Sequence, residues 1–254
     1  MTIEVTAAGH CVSADAVLFD KDGTLIDLHG PWHAWAEATI HALCARSPEL
    51  VPERLAAAIG VGEGRVEPDG VLAGGTDAMI GAALVDVLLD AGVRSPEGEV
   101  ATAMEHAHDR VDVEALVAAL PGVVDILRAS ADATGAVAVV TADTVARAWQ
   151  HLAHIGVRDA VDVVIGADRV ERGKPDPEPV LLACAELGVE PGRAVLFGDS
   201  EHDAVAAERA GVPHRVLVRP TAPAAHLQGV LWARTWAQVS AQAAEEPEPD
   251  ADPE

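Results

Sequence analysis

The sequence is poor in positive charge. Only 17 of its 254 residues are lysine or arginine, against 41 aspartates and glutamates, so the formal net charge at pH 7 is −24. Nucleic acids and anionic membrane surfaces attract proteins that present a basic face. We therefore expect no nucleic-acid partner and no membrane partner. Lysine itself occurs only twice, as Lys21 and Lys174.

Cysteines and long apolar runs are also scarce. The three cysteines are far apart and form no Cys-x-x-Cys pair, which disfavours a disulfide framework or a zinc site and favours a reducing, cytoplasmic setting. The apolar runs are short and interrupted by charge, so we expect no transmembrane helix. The first fifteen residues contain acids but no lysine or arginine, so we expect no signal peptide.

Aromatic residues make up only 3% of the chain, but half of the residues are hydrophobic. This is enough apolar material for a buried core in one or two domains. The last ten residues, 245–254, contain six acids and three prolines and are predicted to form a disordered tail. The frequent use of alanine, valine and arginine rather than lysine is typical of a GC-rich genome and favours a bacterial source.

The pattern of apolar residues changes twice along the chain. A short apolar run at residues 16–20 is typical of a buried strand. From about residue 31 to residue 120, apolar residues recur at the spacing of amphipathic helices. Beyond Pro121, short apolar runs alternate with helical segments, which predicts right-handed crossovers and a parallel sheet covered on both faces.

These patterns predict a two-domain α/β protein. Residues 1–27 and 121–244 are predicted to form a doubly wound parallel-sheet core, and residues 28–120 an inserted α-helical domain. Within the insertion, the glycine-rich segment 60–76 is predicted to be a long loop or a hairpin. Strands are predicted at residues 16–20, 136–141, 161–166, 194–197 and 214–218, and helices at residues 32–46, 52–59, 76–91, 97–120, 123–131, 144–155, 177–187, 202–210 and 235–243.

Polar side chains directly follow three of the predicted strands. They are Asp20 to Thr24 after the first strand, Thr141 to Asp143 after the second, and Asp199 to Asp203 after the strand at residues 194–197. Lys174 lies in the loop between the last two groups. Ligands of open parallel sheets bind beyond the carboxyl ends of the strands, so we expect these side chains to lie together.

Such a cluster indicates metal and phosphate chemistry. Crowded carboxylates repel one another, and a divalent cation relieves that repulsion. All the candidate ligand atoms are oxygens, which favours Mg²⁺ with open positions for a substrate phosphate, and a lysine adds a contact to a phosphate oxygen. A carboxylate there can attack phosphorus and form an aspartyl-phosphate. A second acid two residues away can protonate the leaving oxygen and then activate water.

The same residues lie in four sequence motifs. The motifs are FDKDGTLID at Phe19–Asp27, VVTAD at Val139–Asp143, GKPDP at Gly173–Pro177 and GDSEHD at Gly198–Asp203. Four motifs in this order resemble those of the haloacid dehalogenase (HAD) superfamily of phosphohydrolases, over about residues 14–226. The position of the inserted helices resembles the helical cap of the phosphoglycolate-phosphatase-like branch, and the segment between the second and third motifs is too short for another cap.

The resemblance implies a role for each motif residue. Asp20 would be the nucleophile and a Mg²⁺ ligand. Asp22 would be the general acid and base, with its backbone carbonyl also on Mg²⁺. Thr141 and Lys174 would hold the phosphoryl group and steady the nucleophile, and Ala142 would lie in the same substrate site.

The fourth motif would complete the implied metal site. Asp199 would be a Mg²⁺ ligand, supported by Asp203 directly or through water. Asp203 fits equally well as a first-turn acid that the helix dipole favours. Lys21 departs from the branch, which mostly has an apolar residue there. A surface or supporting charge and a functional role for Lys21 near the cap are both compatible with the sequence.

Further candidates lie in the predicted cap. Arg65, Gly74, Gly75 and Thr76 are candidates for substrate selection, because a glycine-rich loop can approach a ligand closely and an arginine can bind an anionic group. A plain connector is the alternative for this segment.

Histidines and tryptophans of the chain give weaker signals. His29 and His33 fit a cap-side substrate contact better than a metal pair, and Trp32 and Trp35 fit packing better than substrate stacking. Positions on a helix surface are expected for His106, His108, His151 and His154.

The favoured function is Mg²⁺-dependent hydrolysis of a small phosphomonoester, such as phosphoglycolate or a sugar phosphate. One alternative is a phosphomutase of the β-phosphoglucomutase type, although Thr24 closes the first motif where those mutases usually carry valine. Another is a non-catalytic protein that binds a phosphorylated metabolite, a function that does not require Asp20. The expected partner is therefore a small phosphorylated metabolite, and the sequence leaves the oligomeric state open.

Overall fold

The described part of the chain forms a six-stranded parallel sheet, a helical insertion and a small antiparallel sheet. This computed structural model confirms the predicted doubly wound α/β fold. None of the described helices is long and apolar enough to cross a membrane. The described residues are 2–27, 29–62, 65–67, 69–111 and 116–244, so the predicted acidic tail lies outside them.

Strands and helices have the following bounds. The strands are β1 (Ile3–Ala7), β2 (His10–Ala14), β3 (Ala16–Phe19), β4 (Val61–Gly62), β5 (Arg65–Val66), β6 (Val137–Val140), β7 (Val163–Ile165), β8 (Ala194–Gly198), β9 (His214–Val218), β10 (Val230–Ala233) and β11 (Val239–Ala243). The α-helices are α1 (His29–Arg46), α2 (Pro52–Ala58), α3 (Val71–Gly74), α4 (Asp77–Asp90), α5 (Glu97–Arg110), α6 (Val123–Thr134), α7 (Val145–His154), α8 (Glu178–Leu187) and α9 (Glu201–Ala210).

The large sheet has the strand order β10-β9-β8-β3-β6-β7, and all neighbours are parallel. The chain leaves the central strand β3 towards β6 and β7 and then returns on the other side of β3 as β8. A parallel sheet opens a crevice at such a reversal, beyond the carboxyl ends of its strands. The fold therefore provides a ligand crevice at the ends of β3, β6 and β8.

The central strands are buried on both faces. All residues of β3, β6 and β8 are buried, and they form the continuous apolar runs expected of parallel strands covered by helices on both sides. Alternate residues of β3 belong to opposite layers: Val17 and Phe19 pack with α6 and α7, whereas Ala16 and Leu18 pack with α8 and α9. These two layers hold the carboxyl end of β3 in a fixed place.

Helices α1 to α5 form a separate apolar cluster in the insertion. Its fully buried members include Trp35, Leu55 and Leu84. The segment predicted as a loop or hairpin contains the short antiparallel pair β4–β5 and the one-turn helix α3. The exact division between cap and core stays a prediction, but the insertion has a core of its own, as a domain requires.

The two links between insertion and sheet run side by side. The backbone N–H of Asp27 donates to the carbonyl of Ala118, and the N–H of Leu120 donates to the carbonyl of Leu25. α5 ends at Arg110, and residues 117–120 are not helical, so the predicted helix at residues 97–120 is wrong for its last four residues. Near residue 120, the chain is extended and pairs with residues 25–27 instead of forming a helix. This pairing is a contact between distant parts of the chain.

A three-stranded antiparallel sheet in the order β11-β1-β2 was not predicted. The strands β1 and β2 are joined through Ala8 and Gly9, whose φ angles of 52° and 78° suit the two-residue turn of a twisted hairpin. Along β1, the side chains of Ile3, Val5 and Ala7 alternate into the core.

The predicted helix at residues 235–243 is wrong. Residues Trp236–Gln238 make one 3-10 turn, and Val239–Ala243 form β11. The sequence VSAQA alternates small apolar and polar residues, and its pairing with β1 selects the extended form. The strand β10 at Val230–Ala233 was also not predicted.

Candidate active site

Three neighbouring strands present polar side chains at one edge of the sheet. Asp20 follows β3, Thr141 follows β6, and Asp199 follows β8. Because β3 pairs with both other strands, the three residues meet at the reversal of the strand order. All three are buried, so the edge is an enclosed crevice and its charges are poorly screened by water.

Asp20, Asp199 and Asp203 form a cluster of buried carboxylates. One oxygen of each lies within 4.8 Å of the others. Burial raises the pKa of Asp20 to about 7, against the opposing charge of Lys174 and with added repulsion from neighbouring carboxylates. Burial and the charge of Asp20 also raise the pKa of Asp199 well above its ordinary value. Burial and mutual repulsion therefore disfavour the ionised forms of Asp20 and Asp199.

The carboxylate cluster fits a Mg²⁺ ion. Its donor atoms are all oxygens, which Mg²⁺ prefers, and a few carboxylates leave positions for water and phosphate. Gly23 makes room for one of these ligands, because a Cβ atom there would overlap the carboxylate of Asp199. Gly23 also has a φ of 84°, a conformation that glycine adopts without strain. The residues present could hold a cation that relieves the mutual repulsion.

Lys174 connects two members of the cluster. Its Nζ lies 2.6 Å from Oδ1 of Asp20 and 2.6 Å from Oδ1 of Asp203, and it donates to the carbonyl of Val140 at 3.0 Å. Burial lowers the pKa of Lys174, but the two carboxylates outweigh that effect and raise it above its ordinary value. The lysine is therefore a fixed positive charge beside Asp20.

Asp203 has the two features that the sequence left as alternatives. With Ser200 it forms a capping box at the start of α9, in which the Ser200 hydroxyl donates to Oδ2 of Asp203 at 2.6 Å. Its other oxygen, Oδ1, contacts Lys174 within the carboxylate cluster. A first-turn acid of the helix thus also lies in the candidate metal site.

Thr141 is oriented by its own turn. Its hydroxyl oxygen accepts the backbone N–H of Asp143 at 3.1 Å, and its backbone N–H donates to Ile165. Because the oxygen serves as an acceptor, the hydroxyl proton can be donated to another group, such as a phosphoryl oxygen. Ala142 follows directly and is half-buried, and its assignment to the substrate site stays a prediction.

Asp22 is bound by a different set of side chains. Its Oδ1 accepts hydrogen bonds from Lys21 Nζ at 2.9 Å and from Trp32 Nε1 at 3.0 Å, and Lys21 Nζ lies 2.8 Å from Oδ2. Burial raises the pKa of Asp22, but Lys21 and Trp32 outweigh burial and hold the pKa below its ordinary value. Asp20 and Asp22 thus have pKa values shifted in opposite directions.

Lys21 is fully buried, which rules out the surface charge that the sequence allowed. Besides Asp22, its Nζ contacts Nδ1 of His151 at 3.0 Å and Oδ2 of Asp143 at 3.2 Å. Asp143 in turn lies 3.2 Å from Arg147. We call Lys21, Asp22, Trp32, Asp143 and His151 the Lys21 network. Lys21 thus makes two buried contacts with carboxylates, those of Asp22 and Asp143.

The expected surface position of His151 is wrong. His151 is only 1% exposed, and burial together with the charge of Lys21 lowers its pKa to about 4. The signal was in the sequence, because Ala148, His151 and Leu152 share the buried face of α7 at helical spacing. His106 and His154 are exposed as expected, whereas His108 is half-buried.

The tryptophans of α1 are packing residues, as expected. Trp35 is fully buried, with its ring 6.1 Å from that of Trp32 and 5.2 Å from that of His108. Trp32 additionally donates to Asp22, a contact that the sequence did not indicate. The cap-side contact expected of His29 and His33 stays a prediction, and the side chain of His29 lies outside the described residues.

The predicted cap residues have separate environments. Arg65 is exposed on β5, and the hydroxyl of Thr76 accepts the N–H of Met79 as the N-cap of α4. Among the described residues, no contact joins Arg65 or Thr76 to the carboxylate cluster, and their role in substrate selection stays a prediction. Gly74 does approach the core, since a Cβ atom there would lie 2.5 Å from Nδ1 of His202.

A cap-to-core ion pair was missed by the sequence analysis. Asp69, between β5 and α3, contacts Arg219 at 3.0 Å and accepts the backbone N–H of Glu201 at 2.8 Å. Arg219 also donates to the backbone carbonyl of Asp199 at 3.0 Å. Arg219 directly follows β9. It could have been found from the sequence, because ligands of parallel sheets bind beyond the carboxyl ends of the strands. This contact joins the insertion to the segment that carries a candidate metal ligand.

Comparisons with known proteins agree with this architecture. Residues 14–211 match the family model of haloacid dehalogenase-like hydrolases. The chain is 33% identical over 198 residues to the N-acetylmuramic acid 6-phosphate phosphatase of Pseudomonas aeruginosa, covering 77% of this chain and 78% of that one. It is also 33% identical over 203 residues to a phosphoglycolate phosphatase of Cupriavidus necator, covering 78% of each.

A solved structure shows the same fold. It is the crystal structure of a predicted phosphoglycolate phosphatase from Haemophilus somnus, with a TM-score of 0.69 and 20% sequence identity, covering 88% of this chain and 95% of that one. The family match spans most of the chain and includes all four motifs. The chain therefore belongs to the haloacid dehalogenase-like hydrolase family.

Proposed function

We propose that this hydrolase is a Mg²⁺-dependent phosphatase that cleaves a small phosphomonoester through an aspartyl-phosphate on Asp20. The observation that carries the proposal is the setting of Asp20, a buried carboxylate at the strand reversal with Lys174 Nζ 2.6 Å away. A fixed cation beside a carboxylate nucleophile suits attack on a negatively charged phosphoryl group. The relatives named above are phosphatases of small phosphorylated metabolites, which supports the substrate class.

The carboxylate cluster supports the proposed metal site. Asp20, Asp199 and Asp203 would hold the Mg²⁺ ion, together with the backbone carbonyl of Asp22. When bound, the ion would neutralise charge on the cluster and on the phosphoryl oxygens. The raised pKa values of Asp20 and Asp199 support this assignment, since burial and neighbouring carboxylates disfavour the ionised forms that a bound cation would stabilise.

In the first step, Asp20 attacks phosphorus and the bond from phosphorus to the alcohol oxygen breaks. Asp22 gives a proton to that oxygen, so that a neutral alcohol leaves. Lys174 and the hydroxyl of Thr141 bind phosphoryl oxygens as the charge on them changes. The product of this step is a phosphoryl group bound to the Asp20 carboxylate.

In the second step, water attacks the phosphoryl group on Asp20 and inorganic phosphate is released. Asp22 accepts a proton from this water, and Asp20 is restored as a carboxylate. The lowered pKa of Asp22 favours its ionised form, which can accept this proton.

The cap would limit both the substrate and the access of water. Helices α1 to α5 and the pair β4–β5 make up the proposed cap domain of residues 28–120, in which Arg65 and Thr76 are proposed substrate-selecting residues. A cap that closes over the crevice excludes bulk water around the phosphoryl group. The three free cysteines suit a bacterial cytoplasmic enzyme.

The test is phosphate release from a panel of small phosphate esters, with Mg²⁺ and with chelator, for wild type and Asp20→Asn. We expect Mg²⁺-dependent release that falls by at least about 1,000-fold in Asp20→Asn, because the amide is a poor nucleophile. Asp86→Asn, which changes an acid on the cap helix α4, is the matched control and should keep wild-type rates. Absence of release from every ester by folded wild type would contradict the proposal.

A further inference from the structure

The chain has two lysines, and the proposed reaction gives a role to Lys174 but not to Lys21. Its side chain is fully buried, and its Nζ lies 2.9 Å and 2.8 Å from the two oxygens of Asp22. Burying an ammonium group costs free energy unless its charge is paired and hydrogen-bonded. Packing alone would therefore favour an apolar residue at this position, and the lysine calls for another explanation.

The donors around Asp22 leave one of its oxygens available. Oδ1 accepts hydrogen bonds from Lys21 and from Trp32, whereas the one contact of Oδ2 within the described part of the chain is with Lys21. All these partners are N–H groups, which require lone pairs on the carboxylate. A carboxylate oxygen can accept more than one hydrogen bond, so Oδ2 keeps capacity for a further proton donor. The carboxylate is thus fixed in orientation and still open on one side.

Lys21 is itself held by two other groups. Its Nζ lies 3.0 Å from Nδ1 of His151, which accepts a hydrogen bond as a neutral imidazole, and 3.2 Å from Oδ2 of Asp143. His151 comes from α7 and Asp143 from the turn before it, so the sheet and a helix together fix the ammonium group. A movement of Lys21 would therefore displace the carboxylate of Asp22.

We propose that Lys21 is a positioning residue, which holds the Asp22 carboxylate ready to accept a proton from the water that attacks phosphorylated Asp20. The inference rests on the proposed function. In this step the water oxygen bonds to phosphorus, and the bond between phosphorus and Asp20 breaks with its electron pair returning to Asp20. The water proton passes to Oδ2 of Asp22, phosphate departs, and the next leaving alcohol takes up that proton.

The test uses p-nitrophenyl phosphate with Mg²⁺ and the variant Lys21→Met. The nitrophenolate leaves without a proton, so kcat/KM reports the attack by Asp20 and kcat reports the loss of phosphate from it. We expect kcat to fall by about 10- to 100-fold and KM to fall with it, so that kcat/KM changes by less than about threefold. Phosphorylated protein should accumulate and appear in acid-quenched samples by intact mass.

Two sets of variants separate positioning from packing. His151→Leu removes the acceptor for Lys21 and should accumulate phosphorylated protein as Lys21→Met does, whereas His151→Asn offers an acceptor near the place of Nδ1 and should restore turnover. Arg147→Met removes a cation that contacts Asp143 but is not among the contacts of Asp22. This variant should show the wild-type turnover and the wild-type amount of phosphorylated protein. If Lys21→Met does not fold, the two His151 variants provide the test.

The outcomes distinguish this inference from the proposed function. If wild type shows no release that depends on Asp20, the proposed function itself fails. If wild type turns over but the Lys21 and His151 variants lose kcat and kcat/KM in parallel, without phosphorylated protein, Lys21 is only a packing charge. Wild-type kinetics in Lys21→Met would overturn the inference equally.

Discussion

Asp20 and Asp22 are separated by one residue, and their surroundings present different charges. Asp20 shares its crevice with two other acids and one lysine. Asp22 receives donors from Lys21 and Trp32. At the scale of single residues, the chemistry therefore depends on which side chains surround each carboxylate, since the two side chains are chemically identical.

The raised pKa of Asp20 predicts a dependence of stability on pH. With a pKa of about 7 in the folded protein against 3.8 as the ordinary value, folded Asp20 keeps a proton between these limits that the unfolded chain has lost. Without metal, the free energy of unfolding should therefore fall as pH rises from about 4 to 7, by roughly 1 kcal/mol per pH unit from this group.

The measurement is denaturant unfolding of chelated wild type and chelated Asp20→Asn across this pH range. The difference between the two free energies isolates Asp20 from groups such as Asp22, whose pKa is shifted the other way. Added Mg²⁺ should stabilise wild type more at pH 7 than at pH 5, because it binds the ionised form. A difference that does not change with pH would show that Asp20 is ionised throughout.

The strand ends could be predicted from the sequence, but most of the contacts around them could not. A buried run followed by an acid places Asp20 and Asp199 at one sheet edge without knowledge of any other contact. The contact between Lys21 and His151 depends on how α7 packs against the sheet, a relation between residues far apart in the chain. The burial of Lys21 was unpredictable for the same reason.

At the scale of elements, the insertion meets the core through a few specific contacts. Asp69 pairs with Arg219, and Arg219 also binds the backbone of Asp199. Gly74 allows α3 to approach His202 at the first turn of α9. Both contacts lie in the segment that the sequence singled out for its glycines, so this segment holds the insertion against the edge that carries the carboxylate cluster.

Loss of the Asp69 carboxylate should loosen the segment around β4 and β5. We expect Asp69→Ala to lower kcat/KM by about tenfold, because it leaves the buried guanidinium of Arg219 without its charge partner. Amide hydrogen exchange in residues 59–76 should become faster. The measurements are steady-state kinetics and exchange monitored by mass spectrometry.

A matched control is an exposed ion pair in the same cap. Asp90 pairs with Arg54 at 3.3 Å, but both side chains are more than half exposed, and such pairs contribute little. Asp90→Ala should leave kinetics and exchange at residues 59–76 unchanged. Equal behaviour of the two variants would show that the Asp69 contact has no role in holding the cap.

At the scale of the whole molecule, the ends of the chain complete the core. The small sheet joins β11 to β1, and Trp236 packs against Phe19 and Phe197 while its Nε1 donates to the carbonyl of Thr24. The family match ends at residue 211. Trp236, which packs against the first motif, therefore lies outside the matched residues. The motifs gave no sign of it, because the pairing joins opposite ends of the chain.

Two truncations test the importance of this closure. A chain ending at residue 244 should unfold at the same temperature as the full chain, because six acids and three prolines among the ten removed residues do not suit a packed core. A chain ending at residue 234 loses Trp236 and β11 and exposes the apolar side of β1, so it should lose several kcal/mol of stability or fail to fold. Thermal unfolding followed by circular dichroism is the measurement, and equal midpoints would show that β11 is dispensable.

The paired links at residues 25–27 and 118–120 make the cap an exchangeable module. Its entry and exit are joined by two backbone hydrogen bonds, so the two links leave the core next to each other. Insertions with adjacent ends can be replaced without rebuilding the host. A cap taken from another family member could thus be grafted at these links, and a change of substrate preference in the graft would test the proposed role of the cap.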